Sequence, residues 1–447
     1  MKKFFEAFAN VWKIEELKNR ILVTLGLLLV YRFGAHVTLP GIDATQLNKL
    51  TDQTQGGIGW LIDVFTGGAF SQASVFALGI MPYISASIVV QLMGIAVPYL
   101  QKLQKEGESG RKKINQITRW LTILITLVQG PGYIYNLYRT LPQEAFLLPS
   151  SSFAFLFSSV VILATGTIFA MWLGEKITDK GIGNGISLLI LVGIIARMPQ
   201  AFIQEFTSVV TENNGGPLKL LLEVVVWLFV IIACILMVMA VRKIPVQYAR
   251  RTTSGDFEQD MLGGNRQWIP LKLNASGVMP IIFAQAIMFI PAALAGLSKS
   301  DAAQTVTSQF QNVFGLAYNV VFALLIIIFT YFYTAITVPT NKMADDLKRS
   351  GGFIPGVRPG VETGDYLDKI MSLITFPGSL FLALIAVFPA VVFNFGVQQQ
   401  WALFYGGTSL LIMVGVAIDT IQQINSYLLN RHYDGLMKSG KNRKAVA

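Results

Sequence analysis

The residue types that most often perform catalysis or bind metals are sparse in this chain of 447 residues. It contains two histidines, His36 and His432, and a single cysteine, Cys234. The topology derived below places the histidines at opposite membrane faces, so they cannot share a metal or a catalytic triad. The chain also lacks a G-x-x-x-x-G-K-[ST] phosphate loop. We therefore expect neither an enzyme nor a cofactor site.

Charged residues at mid-membrane depth, which ion-coupled transporters use, are also few. Glu223 lies near the outer end of one predicted span, and Asp419 lies near the inner end of another. A central charge costs about 2.5–3.5 kcal/mol on insertion scales, so it persists mainly where function needs it. A secondary transporter with inverted repeats stays an open alternative, because backbone carbonyls can also bind Na⁺.

Isoleucines recur at helical spacing within the predicted spans. Ile80 and Ile84 are four residues apart and share one helix face, as do Ile186 and Ile190. A collar of aliphatic side chains can close a pore to ions by dewetting and still widen for a larger passenger. The same spacing is typical of ordinary helix packing. Periodicity alone leaves both interpretations open.

Apolar segments must position these residues. Hydrophobic residues make up 53% of the chain and charged residues 13%, with a mean hydropathy of +0.55. These values indicate a membrane protein, in which each span needs about 20 mostly apolar residues. We place ten spans near residues 21–38, 75–98, 116–138, 153–174, 184–204, 217–241, 273–297, 317–339, 373–397 and 402–425.

The basic residues predict how these spans are oriented. Of the 35 Lys and Arg residues, all but six fall in intervals that alternate along the chain. Because Lys and Arg are retained on the cytoplasmic side, both ends of the chain are expected there. The six exceptions are Arg32, Lys49, Arg139, Arg197, Lys219 and Lys299. The net charge of +10 then lies mainly on one face, where it can attract anionic lipids or a polyanionic partner.

The ten spans divide into two sets of five around a polar stretch, residues 211–217. An odd number per half inverts the second half, as in inverted-repeat membrane proteins. We predict halves at 1–210 and 211–447. The segment Gly79-Ile80-Met81-Pro82-Tyr83-Ile84 at the second span is echoed by Gly277-Val278-Met279-Pro280-Ile281-Ile282 at the seventh.

The outer interval at residues 56–74 is apolar but too short to cross the membrane. Glycine pairs at 56–57 and 67–68 bracket it as hinges. Such a segment suits either a re-entrant element in a cavity or a helix on the outer surface. The pattern alone does not choose between them.

Several motifs resemble the SecY family, the central subunits of the bacterial protein-conducting channel, across essentially all ten spans in order. The motifs are Gly79-Ile80-Met81-Pro82-Tyr83-Ile84-Ser85-Ala86-Ser87-Ile88, Lys105-Glu106-Gly107-Glu108-Ser109-Gly110-Arg111-Lys112-Lys113-Ile114, Met171-Trp172-Leu173-Gly174-Glu175, Gly181-Ile182-Gly183-Asn184-Gly185-Ile186-Ser187, Phe353-Ile354-Pro355-Gly356-Val357-Arg358-Pro359-Gly360 and Gly406-Gly407-Thr408-Ser409-Leu410-Leu411-Ile412.

The resemblance implies an all-α membrane protein with a central pore between its halves, a plug near 58–70 and a lateral gate to lipid. It implies a pore ring of Ile80, Ile84, Ile186, Ile190, Ile282 and Ile412. It places gate-lining polar residues at Ser85, Gln129 and Gln285. Such a channel passes unfolded polypeptides across the bacterial cytoplasmic (inner) membrane and releases apolar segments sideways into lipid.

The resemblance also implies partners. SecE and SecG are expected as membrane subunits, and the SecA ATPase or a ribosome drives transport of signal peptides and unfolded substrates. Two inner intervals, about 242–272 and 340–372, are longer than a helix connection requires. They carry residues that match the family's docking loops, namely Arg242, Lys243, Arg250, Arg251 and Arg358. The acidic tip near 255–260 stays unassigned.

Overall fold

The computed structural model describes the chain except residues 1–11, 13, 48–62, 143–144, 147–152, 212–215, 249–265, 296–311 and 444–447. The described part is mainly helical. Its helices are α1 (Glu15–Ala35), α2 (Met81–Ala96), α3 (Pro98–Lys105), α4 (Glu108–Thr140), α5 (Phe153–Lys180), α6 (Gly185–Thr211), α7 (Gly216–Met239), α8 (Met279–Ala295), α9 (Leu316–Thr337), α10 (Thr340–Arg349), α11 (Val361–Asn394), α12 (Gln399–Ala402) and α13 (Gly407–Arg443). Its strands are β1 (Val241–Tyr248), β2 (Arg266–Lys272) and β3 (Gly352–Phe353).

Each of the ten predicted spans lies mainly on a different helix, so the predicted helical membrane fold is confirmed. The overlapping helices are α1, α2, α4, α5, α6, α7, α8, α9, α11 and α13. Among the described residues, six helices are long and apolar enough to cross a membrane, and the bent pair α2–α3 makes a seventh. The protein is therefore a multi-pass helical membrane protein. The count of ten crossings stays a prediction.

The two echoed segments have the same local structure. Gly79 and Gly277 both have positive φ, at 53° and 62°, and each helix begins two residues later. A left-handed turn favours glycine because other residues carry a Cβ that clashes there. Proline then occupies the second helical position, where its missing N–H costs nothing. The predicted starts at 75 and 273 were therefore about six residues too early, since turns precede both helices.

A bend of 103° separates α2 from α3 at Val97. Pro98 follows Val97, and a proline disfavours helical backbone at the residue before it. Val97 is extended at ψ 115°, so the helix direction changes there. A tight turn separates α5 from α6, because α5 ends at Lys180 and α6 begins at Gly185. Gly183, with φ at 82°, makes the turn, and its N–H donates to Gln423 Oε1 over 2.8 Å.

A small antiparallel sheet occupies part of the two long inner intervals. The strand order is β2-β1-β3, and Val241 pairs with Lys272 at one end of the β1–β2 ladder. Ile244 and Val246 are buried, alternate with the less buried Pro245 and Gln247, and pack with Leu347 and Leu367. This core fixes the hairpin against α10 and the start of α11.

The chain forms two compact units. The first contains residues 1–204 and 416–447, and the second contains residues 205–415. The first division lies close to the predicted boundary at 210. The end of α13 packs with the first unit, so the compact units are not identical to the predicted halves, which stay a prediction.

Candidate functional site

The segment at residues 63–80 is buried inside the first unit. Tyr133 Oη on α4 donates to the Phe70 carbonyl oxygen over 2.8 Å. The backbone N–H of Val75 donates to the Val37 carbonyl oxygen over 2.9 Å. Nearly every side chain of the segment is buried. These contacts attach the segment to α4 and to the chain just after α1; the re-entrant plug stays a prediction, and its residues 58–62 lie outside the described part.

An ion pair fixes the start of this segment. The Asp63 carboxylate pairs with the Arg197 guanidinium of α6 and accepts the Ser71 backbone N–H over 2.7 Å. Arg197 also donates to Ser71 Oγ over 2.7 Å. Burial raises the pKa of the Asp63 carboxyl, while the charge of Arg197 and the bonds from Ser71 oppose that rise.

Close backbone contact holds the middle of the segment. Arg32 Nη1 on α1 donates to the Gly67 carbonyl oxygen over 2.9 Å. A Cβ added at Gly193 of α6 would stand 2.5 Å from the Phe65 carbonyl oxygen. Only glycine at position 193 permits this approach, because a backbone oxygen cannot rotate away as a flexible side chain can.

We expect Gly193→Ala to destabilise the first unit by about 1–3 kcal/mol, because the new methyl group overpacks the contact. The midpoint of thermal unfolding of the purified protein measures this loss. Gly26→Ala is the matched control, since a Cβ at Gly26 meets nothing within 4 Å. An equal midpoint for both variants would show that the backbone contact is absent in solution.

Sequence reasoning did not assign roles to Arg32 and Arg197, although both were marked as exceptions to the alternation of basic residues. The structure gives each described exception a contact. Lys219 donates to the Gly396 carbonyl oxygen over 2.8 Å, and the Arg139 guanidinium lies 5.9 Å from the centre of the Tyr135 ring. Lys49 and Lys299 lie outside the described residues.

A second buried polar cluster, around Glu205 in the second unit, was not predicted from the sequence. The Gln398 backbone N–H donates to Glu205 Oε2 over 2.7 Å, and the Gln398 side chain donates to Ser208 Oγ over 3.1 Å. Glu223, named in the sequence for its depth, is 3.8 Å from Lys219 Nζ in an ion pair. The Gln398 bonds attach the segment before α12 to α6, and the bond from Lys219 to Gly396 attaches it to α7. Among the described residues, no group of three or more His, Cys, Asp or Glu could hold a metal ion.

The predicted pore-ring residues fall in both units. Ile80 and Ile84 are one turn apart, because the Ile84 N–H donates to the Ile80 carbonyl oxygen over 3.0 Å. Ile190 is buried on α6, and Ile186 packs against Gly174 of α5. In the second unit, Ile282 is half-buried on α8 and Ile412 is buried on α13. The ring itself stays a prediction.

The predicted gate and docking residues differ in exposure. Ser85 is half-buried on α2, Gln129 is exposed on α4, and Gln285 is buried on α8. Arg242 and Lys243 are exposed at the start of β1, and Arg358 is 87% exposed. Arg358 has an ion pair with Glu362 at 3.7 Å. Arg250 and Arg251 lie outside the described residues.

Comparison with known proteins decides the family. The sequence model of the SecY family matches residues 74–421. The chain belongs to the SecY family. A protein translocase subunit SecY from Haemophilus influenzae is 41% identical over 95% of this chain and 94% of its own length. The SecY subunit of Streptomyces scabiei is 39% identical over 97% of this chain and 99% of its own length.

Solved structures agree with the SecY fold. A SecY structure whose plug domain stabilises the closed channel and maintains a membrane seal has a TM-score of 0.60 at 17% identity, with 92% of each chain covered. Canine Sec61 in a ribosome–channel complex has a TM-score of 0.54 at 14% identity, again with 92% of each chain covered. The secondary transporter finds no support in these comparisons.

Proposed function

We propose that the chain is the channel-forming subunit of a bacterial protein translocase. It passes unfolded polypeptides across the cytoplasmic membrane and releases apolar segments sideways into lipid. The observation that carries this proposal is the identity of about two residues in five to translocase subunits over nearly the whole chain. We place both termini in the cytoplasm and propose ten crossings, as the alternation of basic residues predicts.

The closed channel is sealed by two elements. The plug segment, which is the described part of the predicted plug at residues 63–70, fills space inside the first unit through its buried side chains and its contact with Gly193. The six isoleucines form the pore ring, whose aliphatic surface offers a passenger neither charge nor hydrogen-bonding preference. Such a ring tolerates any passenger sequence, and in the resting state it excludes ions by dewetting.

We propose Ser85 on α2, Gln129 on α4 and Gln285 on α8 as residues of the lateral gate, as the family resemblance implies. A passenger segment that is sufficiently apolar leaves through it because lipid removes its surface from water. The transfer free energy favours lipid by about 25 cal/mol for each Å² of apolar surface that is removed from water. The passenger's own hydrophobicity therefore selects between crossing and membrane insertion.

The driving partner docks on the inner face. Arg242, Lys243 and Arg358 are exposed there, and we add Arg250 and Arg251 of the same loops. Two similar structures are ribosome-bound, canine Sec61 and an idle yeast Ssh1 complex. We propose the ribosome and the SecA ATPase as alternating partners, SecE and SecG as membrane subunits, and anionic lipids beside the basic face.

Reconstituted vesicles test this function. The chain is incorporated with SecE and SecG, and SecA, ATP and an unfolded precursor with a signal peptide are added outside. We expect the precursor to become protected from added protease only when ATP is present. A precursor without its signal peptide is the control. Uptake of a small solute without any precursor protection would contradict the proposal and favour a transporter.

A further inference from the structure

Two arginines contact the plug segment from different helices. Arg197 of α6 pairs with Asp63 at its start, and Arg32 of α1 bonds the Gly67 carbonyl oxygen in its middle. Both arginines are exceptions to the retention of basic residues on the inner face. Membrane orientation therefore does not explain where these two arginines lie. The structure shows that both bind the same segment.

We propose that Arg197 and Arg32 are the positioning residues that hold the plug closed, with the Asp63–Arg197 ion pair as its latch. The proposal rests on the channel function proposed above. The latch determines how often the plug segment leaves its closed position in the resting channel.

Because the ion pair is buried, its loss strongly affects the position of the plug segment. The Asp63 side chain is only 5% exposed and that of Arg197 is 19% exposed. Taking two charges out of water is costly, and their attraction compensates only while both are present in good geometry. Removing one partner leaves the other buried and unpaired, which is strongly destabilising. The plug segment avoids that cost by moving so that water reaches the remaining charge.

The surrounding contacts make the latch sensitive to position. The Ser71 backbone N–H orients one carboxylate oxygen of Asp63, while Arg197 binds the other. Arg197 also bonds Ser71 Oγ, so both ends of the turn at 63–71 are attached to α6. An apolar contact weakens gradually with distance, whereas these directed bonds fail once the geometry is lost. The arrangement therefore favours two discrete plug positions.

Cysteine labelling of the assembled, resting complex tests the latch. The only cysteine, Cys234, is buried and can be replaced by serine, and Ala69→Cys then places one thiol at a fully buried plug position. A membrane-impermeant maleimide is added at the outer face. We expect Arg197→Gln to raise the labelling rate about tenfold or more, and Arg197→Lys, which keeps the charge, to raise it less. Arg139→Gln, the same change at another outer arginine, should leave it unaltered.

A double-mutant cycle separates a latch from general loosening. Asp63→Asn removes the charge of the pair but keeps an oxygen acceptor for the Ser71 N–H. It therefore serves as the test variant if the Arg197→Gln protein fails to assemble. We expect the double variant to label no faster than the faster single variant, because both remove one interaction. Wild-type labelling rates in both single variants, or fold-changes that multiply in the double variant, would overturn the latch. If instead the unmodified complex fails to translocate a precursor, the proposed channel function is what fails.

Discussion

Replacing Arg358 with glutamate is expected to reduce partner-driven translocation by about tenfold or more while leaving the folded protein intact. The side chain is 87% exposed, so reversing its charge disturbs no core and opposes the docking that we propose for it. Its ion pair with Glu362 is a solvated contact between residues four apart, which contributes little to stability. Precursor protection in vesicles with SecA and ATP measures the first effect, and the midpoint of thermal unfolding measures the second.

Arg349→Glu provides the matched control. Arg349 is exposed at the end of α10, in the same inner interval, and the substitution makes the same change in charge. We expect it to retain most of the translocation rate. Equal losses in both variants would indicate that net charge of the inner face, and not a specific contact of Arg358, determines docking.

Replacing Ile84 and Ile190 together with glycine is expected to raise the ion conductance of the resting channel about tenfold or more. In the proposed pore ring the two side chains supply part of the aliphatic surface that excludes water, and glycine removes that surface. Single-channel recording in planar bilayers, without precursor or partner, measures the leak. The expected consequence is a leaky channel that still translocates, since widening the ring does not hinder a passenger.

Glycine also weakens helices, by about 1 kcal/mol at each position, so that effect needs its own control. Val89→Gly with Ile195→Gly changes exposed positions on the same two helices, 38% and 45% exposed. These two substitutions destabilise the same helices by a similar amount but leave the residues of the predicted ring unchanged. A resting conductance that is equal in the two double variants would contradict the pore-ring assignment.

The helical framework could be predicted from sequence because hydropathy is a local property. Each predicted span overlaps a helix. Residues 75–80 were included in a span because they are apolar, yet they form turns. Hydropathy cannot distinguish burial against protein from burial in lipid, so the start of α2 was misplaced.

Interactions between distant residues could not be predicted in the same way. Asp63 and Arg197 are far apart in sequence, and no local pattern pairs them. A signal was nonetheless present, because Arg197 and Arg32 are basic residues where orientation disfavours them. The hairpin of β1 and β2 was missed for a different reason: its interval was considered only for charge, and Pro245 between Ile244 and Val246 interrupts the apolar–polar alternation that is typical of a strand.

The central claim is that a polypeptide passes through this chain at the isoleucine ring. Ile190→Cys in the Cys234→Ser background, paired with a precursor that carries one cysteine and is arrested during transport, tests it by disulfide formation. The account predicts a crosslink that requires SecA and ATP and is absent from Ile195→Cys in the same background. Trapped precursor that crosslinks to Ile195→Cys but not to Ile190→Cys would contradict it.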